Sequence, residues 1–279
     1  MRLVEYDPSR RGDVAVLMER VWGHRPTEDE LAWFYERNPV RRASVLLAEE
    51  DGKTVGTVTM SFLRMSVGGE ELEVGMPVRL ATDPEFQGRG IFRELETASE
   101  ERARDLGIRL LLIVPNAASA RILTGALGWQ KLPSVRLWSR LLPRTREPTA
   151  VRVDRFDDAL PDRSRGGDRV LRDGSWLNWR FADSPKPYTL LAGGGYAVVG
   201  AHGRVGMLAA IEGDMLSDAA GVAEGRALVA APPPWFRQRY LRAGYLPTHR
   251  KFAVLGKTLD PALPLPAQPH FELGDLDFL

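Results

Sequence analysis

Cysteine is absent from the 279 residues of this chain. Its absence excludes disulfide bonds, thiolate metal sites and any reaction that passes through a cysteine acyl-enzyme. An excess of either charge is also lacking, since 38 Lys and Arg residues stand against 37 Asp and Glu residues. We therefore expect no nucleic-acid partner, no membrane partner and no bound metal.

Long hydrophobic runs are missing as well, because no apolar stretch reaches the length that spans a membrane. The N-terminal stretch MRLVEYDPSRRGD is charged and interrupted by Pro8, which is unlike a signal peptide. We therefore expect a cytoplasmic protein. Hydrophobic residues make up 44% of the chain, enough for a core, and the length allows one or two domains.

Helix and strand patterns alternate through the first half. Thr27 and Glu30 have the spacing of a capping box, and they predict a helix that ends before Pro39. Residues 43–65 predict two strands around a turn, and 72–84 predict a third. The short, continuously apolar run IRLLLIVP predicts a buried strand. This order of elements predicts an α/β fold of the α+β type, with helices packed on a sheet of mixed parallel and antiparallel strands.

Landmarks of the first half recur in the same order in the second half. LAWFYERNP recurs as LNWRFADSP, and LAEEDGKTVGTVTM recurs as VVGAHGRVGMLAA. LLLIVPNAASARILTGALGW then recurs as ALVAAPPPWFRQRYLRAGY. Any two α/β segments can be aligned loosely, but matches in a shared order favour an internal duplication. We predict a first domain over 1–143, a linker over 144–168 and a second domain over 169–279.

The stretch DPEFQGRGIF places two glycines between a predicted strand and a predicted helix. This arrangement is typical of phosphate binding, because the first N–H groups of a helix have no internal partner. A P-loop would need Gly-Lys-Ser/Thr, and a dinucleotide fingerprint would need glycine where Arg93 stands. The remaining match is Q-x-x-G-x-(G/A), carried by Gln87 and Gly90. A purely structural glycine turn is the alternative.

Together with Asn116 and the pair Gly128-Trp129 in the following elements, this loop resembles the coenzyme A loop of the GNAT acyltransferase superfamily. The resemblance implies a GNAT fold followed by a second, truncated GNAT-like domain without the coenzyme A loop. The layout is similar to two-domain members, among them relatives of the enhanced-intracellular-survival acetyltransferases. It implies acetyl-CoA as the co-substrate of the first domain.

The resemblance also implies which residues contact acetyl-CoA. Backbone groups of Leu80, Ala81 and Thr82 would meet the pantetheine arm. The loop would wrap the pyrophosphate, and the later helix would lie beside the thiol end. The residues implied for these two contacts are Gln87, Gly88, Arg89, Gly90, Ile91, Phe92, Asn116 and Ser119.

Two residues depart from the family pattern. Phe92 stands where the loop usually ends in Gly or Ala, and it fits only if its side chain turns into the core. Thr124 stands where a tyrosine often protonates the leaving thiolate, and threonine is a much poorer acid. Solvent or another group would then supply that proton.

The expected reaction is N-acetylation of a small-molecule amine by direct transfer in a ternary complex. A general base would remove a proton from the amine. The candidates are Glu71 and Glu73, just before or on the donor strand, His24 in a loop, and the terminal carboxylate of Leu279, which some two-domain relatives use. The alternative for Glu71 and Glu73 is that they belong to a solvated turn. The alternative for His24 is an exposed histidine without a role, and for Leu279 it is a frayed C-terminal tail. A longer-chain acyltransferase and a non-catalytic acyl-CoA-binding module remain open, and the sequence does not predict an oligomeric state.

Overall fold

The structure is a computed structural model that describes residues 1–142 and 147–276. Packing divides these residues into two compact units. Unit 1 comprises Met1–Leu63, Glu73–Lys131 and Leu255–Leu265. Unit 2 comprises the described residues of 64–72, 132–254 and 266–276. Each unit is therefore assembled from separate segments, whereas the segments predicted from the sequence are contiguous.

Unit 1 is built around a mixed sheet with helices. Its strands are β1 Arg2–Glu5, β2 Ser44–Glu50, β3 Lys53–Val67, β4 Glu70–Thr82 and β5 Leu110–Ile113. Its helices are α1 Arg11–Trp22, α2 Glu28–Glu36, α3 Ile91–Asp105 and α4 Ala117–Ala126. The tip of the β3–β4 hairpin, residues 64–72, belongs to unit 2.

The starts of the first two helices follow from their sequences. Asp7 caps a 3-10 turn at Pro8–Arg10, and α1 follows directly. Thr27 and Glu30 form the predicted capping box, in which Thr27 Oγ1 accepts from Glu30 N at 3.1 Å. The Glu30 carboxylate in turn accepts from Thr27 N at 2.7 Å. Local hydrogen bonds therefore begin α2 where the pattern predicted it.

The sheet of unit 1 has the order β1-β2-β3-β4-β5, and residues 255–258 pair with the far side of β5. Strands β4 and β5 are parallel and pair at Val74 with Leu110 and at Gly75 with Leu111. Beyond these pairs β4 runs on to Thr82, while β5 ends at Ile113. The two strands therefore part, and they leave one edge of β4 without β5 beside it.

Helix α3 packs its apolar side on this sheet. Ile91 and Leu95 join Val58 of β3 in one buried cluster. The side chain of Phe92 packs against a second cluster, which contains Met60 of β3. Phe92 therefore turns towards the core, as the loop motif required.

Polar side chains are also buried on α3, and the apolar pattern did not predict them. Trp129 Nε1 donates to Glu100 Oε1 at 2.8 Å, and Lys257 Nζ pairs with Glu100 and donates to Leu127 O at 2.7 Å. Glu96 is fully buried, and neither of its carboxylate oxygens has a hydrogen-bond partner among the described residues. Burial raises the pKa of Glu96 to about 8, the charge of Glu100 adds to the rise, and Lys257 opposes it.

The buried Glu96 predicts that stability falls as the pH rises. Its pKa is about 8 in the fold against 4.5 as the reference value, so the folded state favours the protonated carboxyl, and stability is lost between these values. We expect Glu96→Gln to stabilise the protein at pH 8, with an advantage that grows by about 1 kcal/mol per pH unit between pH 5 and pH 8 and then levels off. Urea unfolding at several pH values measures this. The exposed control Glu101→Gln should show no such trend, and a pH-independent effect of Glu96→Gln would contradict the interpretation.

Unit 2 repeats the mixed architecture with shorter helices. Its strands are β6 Gln130–Leu141, β7 Val151–Val153, β8 Arg169–Val170, β9 Thr189–Ala192, β10 Gly195–His202, β11 Val205–Gly213, β12 Ala227–Ala230 and β13 Leu246–Thr258. Its helices are α5 Gly174–Leu177, α6 Leu216–Val222 and α7 Arg237–Arg242, and a π-helical turn covers Asn178–Ala182. Residues 130–131 of β6 and 255–258 of β13 belong to unit 1.

The sheet of unit 2 has the order β7-β9-β10-β11-β12-β6, with the first part of β13 beside β6. Strands β11 and β12 are parallel, pair at Gly206 with Leu228 and at Met207 with Val229, and are joined through α6. This β11–α6–β12 connection has the topology of β4–α3–β5. Strand β7, which pairs with β9, lies inside the segment 144–168 that was predicted as linker.

The tail of the chain docks inside unit 2 through buried charges. Arg172, only 3% exposed, donates from Nε to Asp275 Oδ1 at 2.8 Å and lies 3.6 Å from Glu272 Oε2. Arg180 donates to the carbonyl oxygens of Gly274 and Leu276 at 2.6 and 2.9 Å. Residues 270–276 are thereby held as part of the core.

No helix in residues 1–142 or 147–276 is long and apolar enough to cross a membrane.

Candidate functional site

The turn after β4 is anchored by a buried carboxylate. Asp83 is 2% exposed and accepts from Arg20 Nη1 of α1 at 2.5 Å. Its backbone N–H donates to Val55 O at 2.9 Å, and its Oδ1 accepts from Glu85 N at 3.1 Å. A 3-10 turn at Pro84–Phe86 follows. These contacts of Asp83 fix where the glycine segment begins.

Gly88 and Gly90 both lie in the left-handed region, with φ of 78° and 83°. A Cβ added at either position would meet no atom of the described residues within 4 Å. Close packing therefore does not explain these glycines. The backbone of this turn is therefore not covered by a side chain at either glycine.

Helix α3 begins directly after this bare turn. Gly90 occupies the N-cap position, and within the described part of the chain no side chain caps the helix. The first helical hydrogen bond runs from Glu94 N to Gly90 O at 3.1 Å. The N–H groups of Ile91, Phe92 and Arg93 precede that bond, so they are the positive end of a 15-residue helix.

Arg89 and Gln87 brace the turn. Arg89 Nη1 donates to Glu50 Oε1 at 2.9 Å, and its guanidinium lies 4.7 Å from the ring centroid of Phe86. Gln87 Nε2 lies 3.4 Å from Thr82 O. Glu50 thus compensates much of the charge that Arg89 brings to the loop.

Of the predicted pantetheine contacts, Ala81 is buried, and Leu80 and Thr82 are half-buried along the final part of β4. Asn116 is the N-cap of α4, where its Oδ1 accepts from Ala118 N at 3.0 Å and from Ser119 N at 2.9 Å. The side chain of Asn116 therefore caps α4. A contact of Asn116 or Ser119 with a ligand stays a prediction.

Thr124 lies on α4 where the family often has tyrosine. Its Oγ1 donates to Ala120 O at 2.8 Å, inside its own helix. The hydroxyl proton of Thr124 is thus already engaged, which agrees with its weakness as an acid.

The candidate bases differ in their surroundings. Glu73 is paired with the guanidinium of Arg41, whose Nη2 lies 3.1 Å from Glu73 Oε2, so both carboxylate oxygens are engaged. Glu71 belongs to unit 2 and lies 3.2 Å from Arg64 Nη1. His24 is exposed in the α1–α2 loop, and Leu279 lies outside the described residues. A role as general base stays a prediction for all four.

Sequence reasoning missed Arg79, which lies on β4 next to Leu80. Its φ is +49°, unusual for a residue with a long side chain. Its guanidinium lies 4.1 Å from the ring centroid of Phe34 on α2. Nothing in the local sequence signals such a backbone conformation, because arginine is not a residue that favours it.

Within residues 1–142 and 147–276, no group of three or more His, Asp or Glu side chains could hold a metal ion.

The parted parallel strands, the bare two-glycine turn and the helix behind it define unit 1 as a GNAT-type mixed α/β fold. A family model described as "Acetyltransferase (GNAT) domain" matches residues 5–131, a little under half of the chain. Residues 5–131 are therefore similar to GNAT acetyltransferase domains. This match supports acyl transfer as the class of reaction and acyl-CoA as the class of donor.

Solved structures resemble nearly the whole chain. A GCN5-related N-acetyltransferase from Kribbella flavida superposes with a TM-score of 0.69 at 16% identity, over 93% of this chain and 72% of that one. A tandem GNAT protein from the clavulanic acid biosynthesis pathway gives 0.61 at 13% identity, over 94% and 99%. Eis1 from Mycobacterium abscessus gives 0.60 at 15%, over 91% and 73%. At these identities the likeness establishes the fold. A search of curated proteins found no match.

Proposed function

We propose that this protein is an acetyl-CoA-dependent N-acetyltransferase that acts on a small-molecule amine. The observation that carries the proposal is the turn at Gly88 and Gly90, whose bare, open backbone leads into the uncapped start of α3. A pyrophosphate fits this feature, because unpaired N–H groups and the helix dipole favour an anion there.

In this proposal an acyl-CoA would lie extended across unit 1, from the turn after β4 to the start of α4. The phosphates would lie against residues 87–92, and the pantetheine arm would follow the edge of β4 at residues 80–82, where β5 has parted from it. Asn116 and Ser119 would lie beside its thiol end. The donor supplies an activated acetyl thioester, so the protein itself needs no nucleophile, in agreement with the absence of cysteine.

The protein's part in the reaction is to position the amine and to manage protons. The amine nitrogen forms a bond to the thioester carbonyl carbon, the carbon–sulfur bond breaks, and the amine loses one proton while the thiolate gains one. Glu73 is already engaged by Arg41, and Thr124 by its own helix. We therefore favour His24 or water as the proton acceptor and solvent as the proton donor.

We further propose that each chain binds one acyl-CoA, in unit 1. In unit 2, Asp218 lies in the first turn of α6 and accepts from Thr149 N at 2.6 Å and Ala150 N at 3.0 Å. On β11, Glu272 from the tail accepts from Ile211 N at 3.0 Å. In our proposal these two carboxylates would oppose a phosphate at the start of α6 and a pantetheine arm along β11.

The engaged states of Glu73 and Thr124 favour a second candidate, a non-catalytic acyl-CoA-binding module. Turnover separates the two. We would incubate the protein with acetyl-CoA and a panel of amines and follow free CoA with a thiol reagent, to which a protein without cysteine adds no background. Release well above the amine-free rate supports the enzyme, and butyryl-CoA and octanoyl-CoA test for longer chains. A raised melting temperature with acetyl-CoA, without release of CoA, supports the binding module. If neither CoA release nor a shift in melting temperature is observed, both candidate functions are refuted.

A further inference from the structure

The basic residues of this chain are unevenly distributed, although their number nearly balances that of the acidic ones. Residues 106–146 hold seven Lys and Arg residues and no Asp or Glu. Residues 225–259 hold seven more, again with no Asp or Glu. The near-zero net charge, which argued against a membrane partner, is therefore an average over basic and acidic segments.

Parts of these two basic stretches form neighbouring elements of unit 2. Strand β6 lies beside the first part of β13, where Thr248 Oγ1 donates to Leu137 O at 2.9 Å. Trp138 of β6, Tyr240 of α7 and Tyr245 just before β13 belong to one buried cluster. Helix α7 therefore packs on the face of the two strands that carries Trp138 and Tyr245.

Four exposed basic side chains lie on this side of unit 2. Because side chains alternate along a strand, Arg136 shares the face of Trp138, and Lys251 shares that of Tyr245. Two more are exposed on α7, so that the basic face consists of Arg136, Arg237, Arg242 and Lys251.

The charges of the basic face are not compensated. Nowhere among the residues that the structure describes do these four side chains form an ion pair or a hydrogen bond. Arg239 of α7 differs, because its Nη2 lies 3.0 Å from Asp214 Oδ1. The basic face therefore presents a local positive charge that the protein itself leaves open to an anionic partner.

Large apolar side chains are exposed beside these cations. Phe236 and Leu241 are 40% and 48% exposed, and they directly precede Arg237 and Arg242 in the chain. Basic residues mixed with exposed Phe and Leu are typical of segments that lie on a membrane surface, where the cations meet anionic headgroups and the apolar side chains enter the interfacial layer. A nucleic acid would attract the arginines but would offer Leu241 no apolar surroundings.

We propose that this side of unit 2 binds an anionic lipid surface, so that the protein associates peripherally with membranes whose lipids carry negative charge. The basic face contacts the headgroups, and Phe236 and Leu241 enter the interfacial layer. Each cation near such a surface strengthens binding about fivefold. This role goes beyond acyl transfer and does not depend on it.

Cosedimentation of the full chain with lipid vesicles tests this role. Vesicles of phosphatidylglycerol and phosphatidylcholine in equal amounts are compared with vesicles of phosphatidylcholine alone, at about 0.1 M salt. We expect the wild-type protein to sediment with the anionic vesicles and to stay in solution with the neutral ones. Raising the salt to about 1 M should release most of the bound protein, because salt screens exposed charges.

Two double variants separate the charged from the apolar contribution. Arg237→Gln with Arg242→Gln should lower the partition coefficient by roughly 25-fold, since two cations are lost. Phe236→Ser with Leu241→Ser should lower it by roughly tenfold or more, since less apolar surface enters the lipid. Circular dichroism checks that the variants are folded.

The strands supply a second charge variant, Arg136→Gln with Lys251→Gln, which should show a similar loss if the α7 variant does not fold. The matched control is Arg152→Gln with Arg204→Gln. It removes the same charge from exposed positions on β7, at the other edge of the sheet, and in the β10–β11 turn. We expect a change of less than about twofold in the control.

Selective binding to anionic vesicles that is lost in the charge variants and kept in the control supports the proposal. Absence of binding, equal binding to neutral vesicles, or an equal loss in the control would overturn it. A duplex DNA of about 30 base pairs is titrated in parallel by fluorescence anisotropy. Tight binding of this duplex, together with wild-type vesicle binding by Phe236→Ser with Leu241→Ser, would assign the basic face to nucleic acid and overturn the lipid proposal.

Discussion

Replacement of Gly90 by glutamate should lower the affinity for acetyl-CoA by roughly 100-fold or more, equivalent to about 3 kcal/mol. The new side chain would occupy the open space beside the turn and would bring negative charge to the position proposed for the pyrophosphate. The φ of +83° adds strain for any residue with a Cβ, about 1 kcal/mol. Isothermal titration with acetyl-CoA measures the loss.

Gly107 provides the control for this experiment. It has φ of +80° and open surroundings, but it lies just beyond the C-terminal end of α3. Gly107→Glu therefore introduces the same strain and the same charge at the opposite end of the helix. We expect nearly unchanged affinity in this variant. Equal affinities in folded Gly90→Glu and Gly107→Glu proteins would place the pyrophosphate elsewhere.

Replacement of Arg172 by methionine should destabilise the protein by about 3–5 kcal/mol, because it leaves buried carboxylates without their partner. Asp275 and Glu272 are both buried beside Arg172. Burial already raises the pKa of Glu272 to about 7, against the opposing charge of Arg172. Guanidinium chloride unfolding, followed by circular dichroism, measures the change.

Arg155 offers a matched comparison in the same unit, since its ion pair with Asp183 is exposed. Arg155→Met should cost less than about 1 kcal/mol. The double variant Arg172→Met with Asp275→Leu removes both charges and should regain part of the lost stability. If Arg172→Met were no more harmful than Arg155→Met, the tail segment would not be held by these charges.

Much of the fold of unit 1 was predictable because its signals are local. The capping box at Thr27 and Glu30 begins α2, and the apolar run at 110–113 forms the buried strand β5. The pairing of the last strands was not predictable. Strand β6 pairs with β12 of unit 2, whereas residues 255–258 pair with β5 of unit 1. A strand's own residues indicate its conformation, but its partner depends on packing between distant segments.

The second half illustrates the same difference. Its landmarks recur in order, but the hairpin matched by sequence to β2–β3 contains β10 and β11, and β11 pairs in parallel with β12 as β4 does with β5. Unit 2 thus keeps a strand–helix–strand crossover, with the shorter helix α6. Glycine positions carried the sequence match, and they do not distinguish one hairpin from the next.

Part of the candidate site could be predicted from the sequence, because that part also depends on local signals. Two glycines before a helix imply a bare turn, and the apolar face of α3 implied that Phe92 turns inwards. The partner of Glu73 is Arg41, 32 residues away, and the partner of Glu100 is Lys257, 157 residues away. Such pairs depend on the tertiary fold. The local sequence therefore suggested Glu73 as a general base but did not show that Arg41 pairs with it.

The most direct test of the central claim is a calorimetric titration of acetyl-CoA into the wild-type protein. One buried carboxylate lies at the start of α6 in unit 2 and another beside β11, whereas the turn at Gly88 and Gly90 in unit 1 is bare. The titration should therefore saturate at one acetyl-CoA per chain, and this binding should be weakened in Gly90→Glu. Saturation at two per chain, or no binding at millimolar acetyl-CoA, would contradict the account.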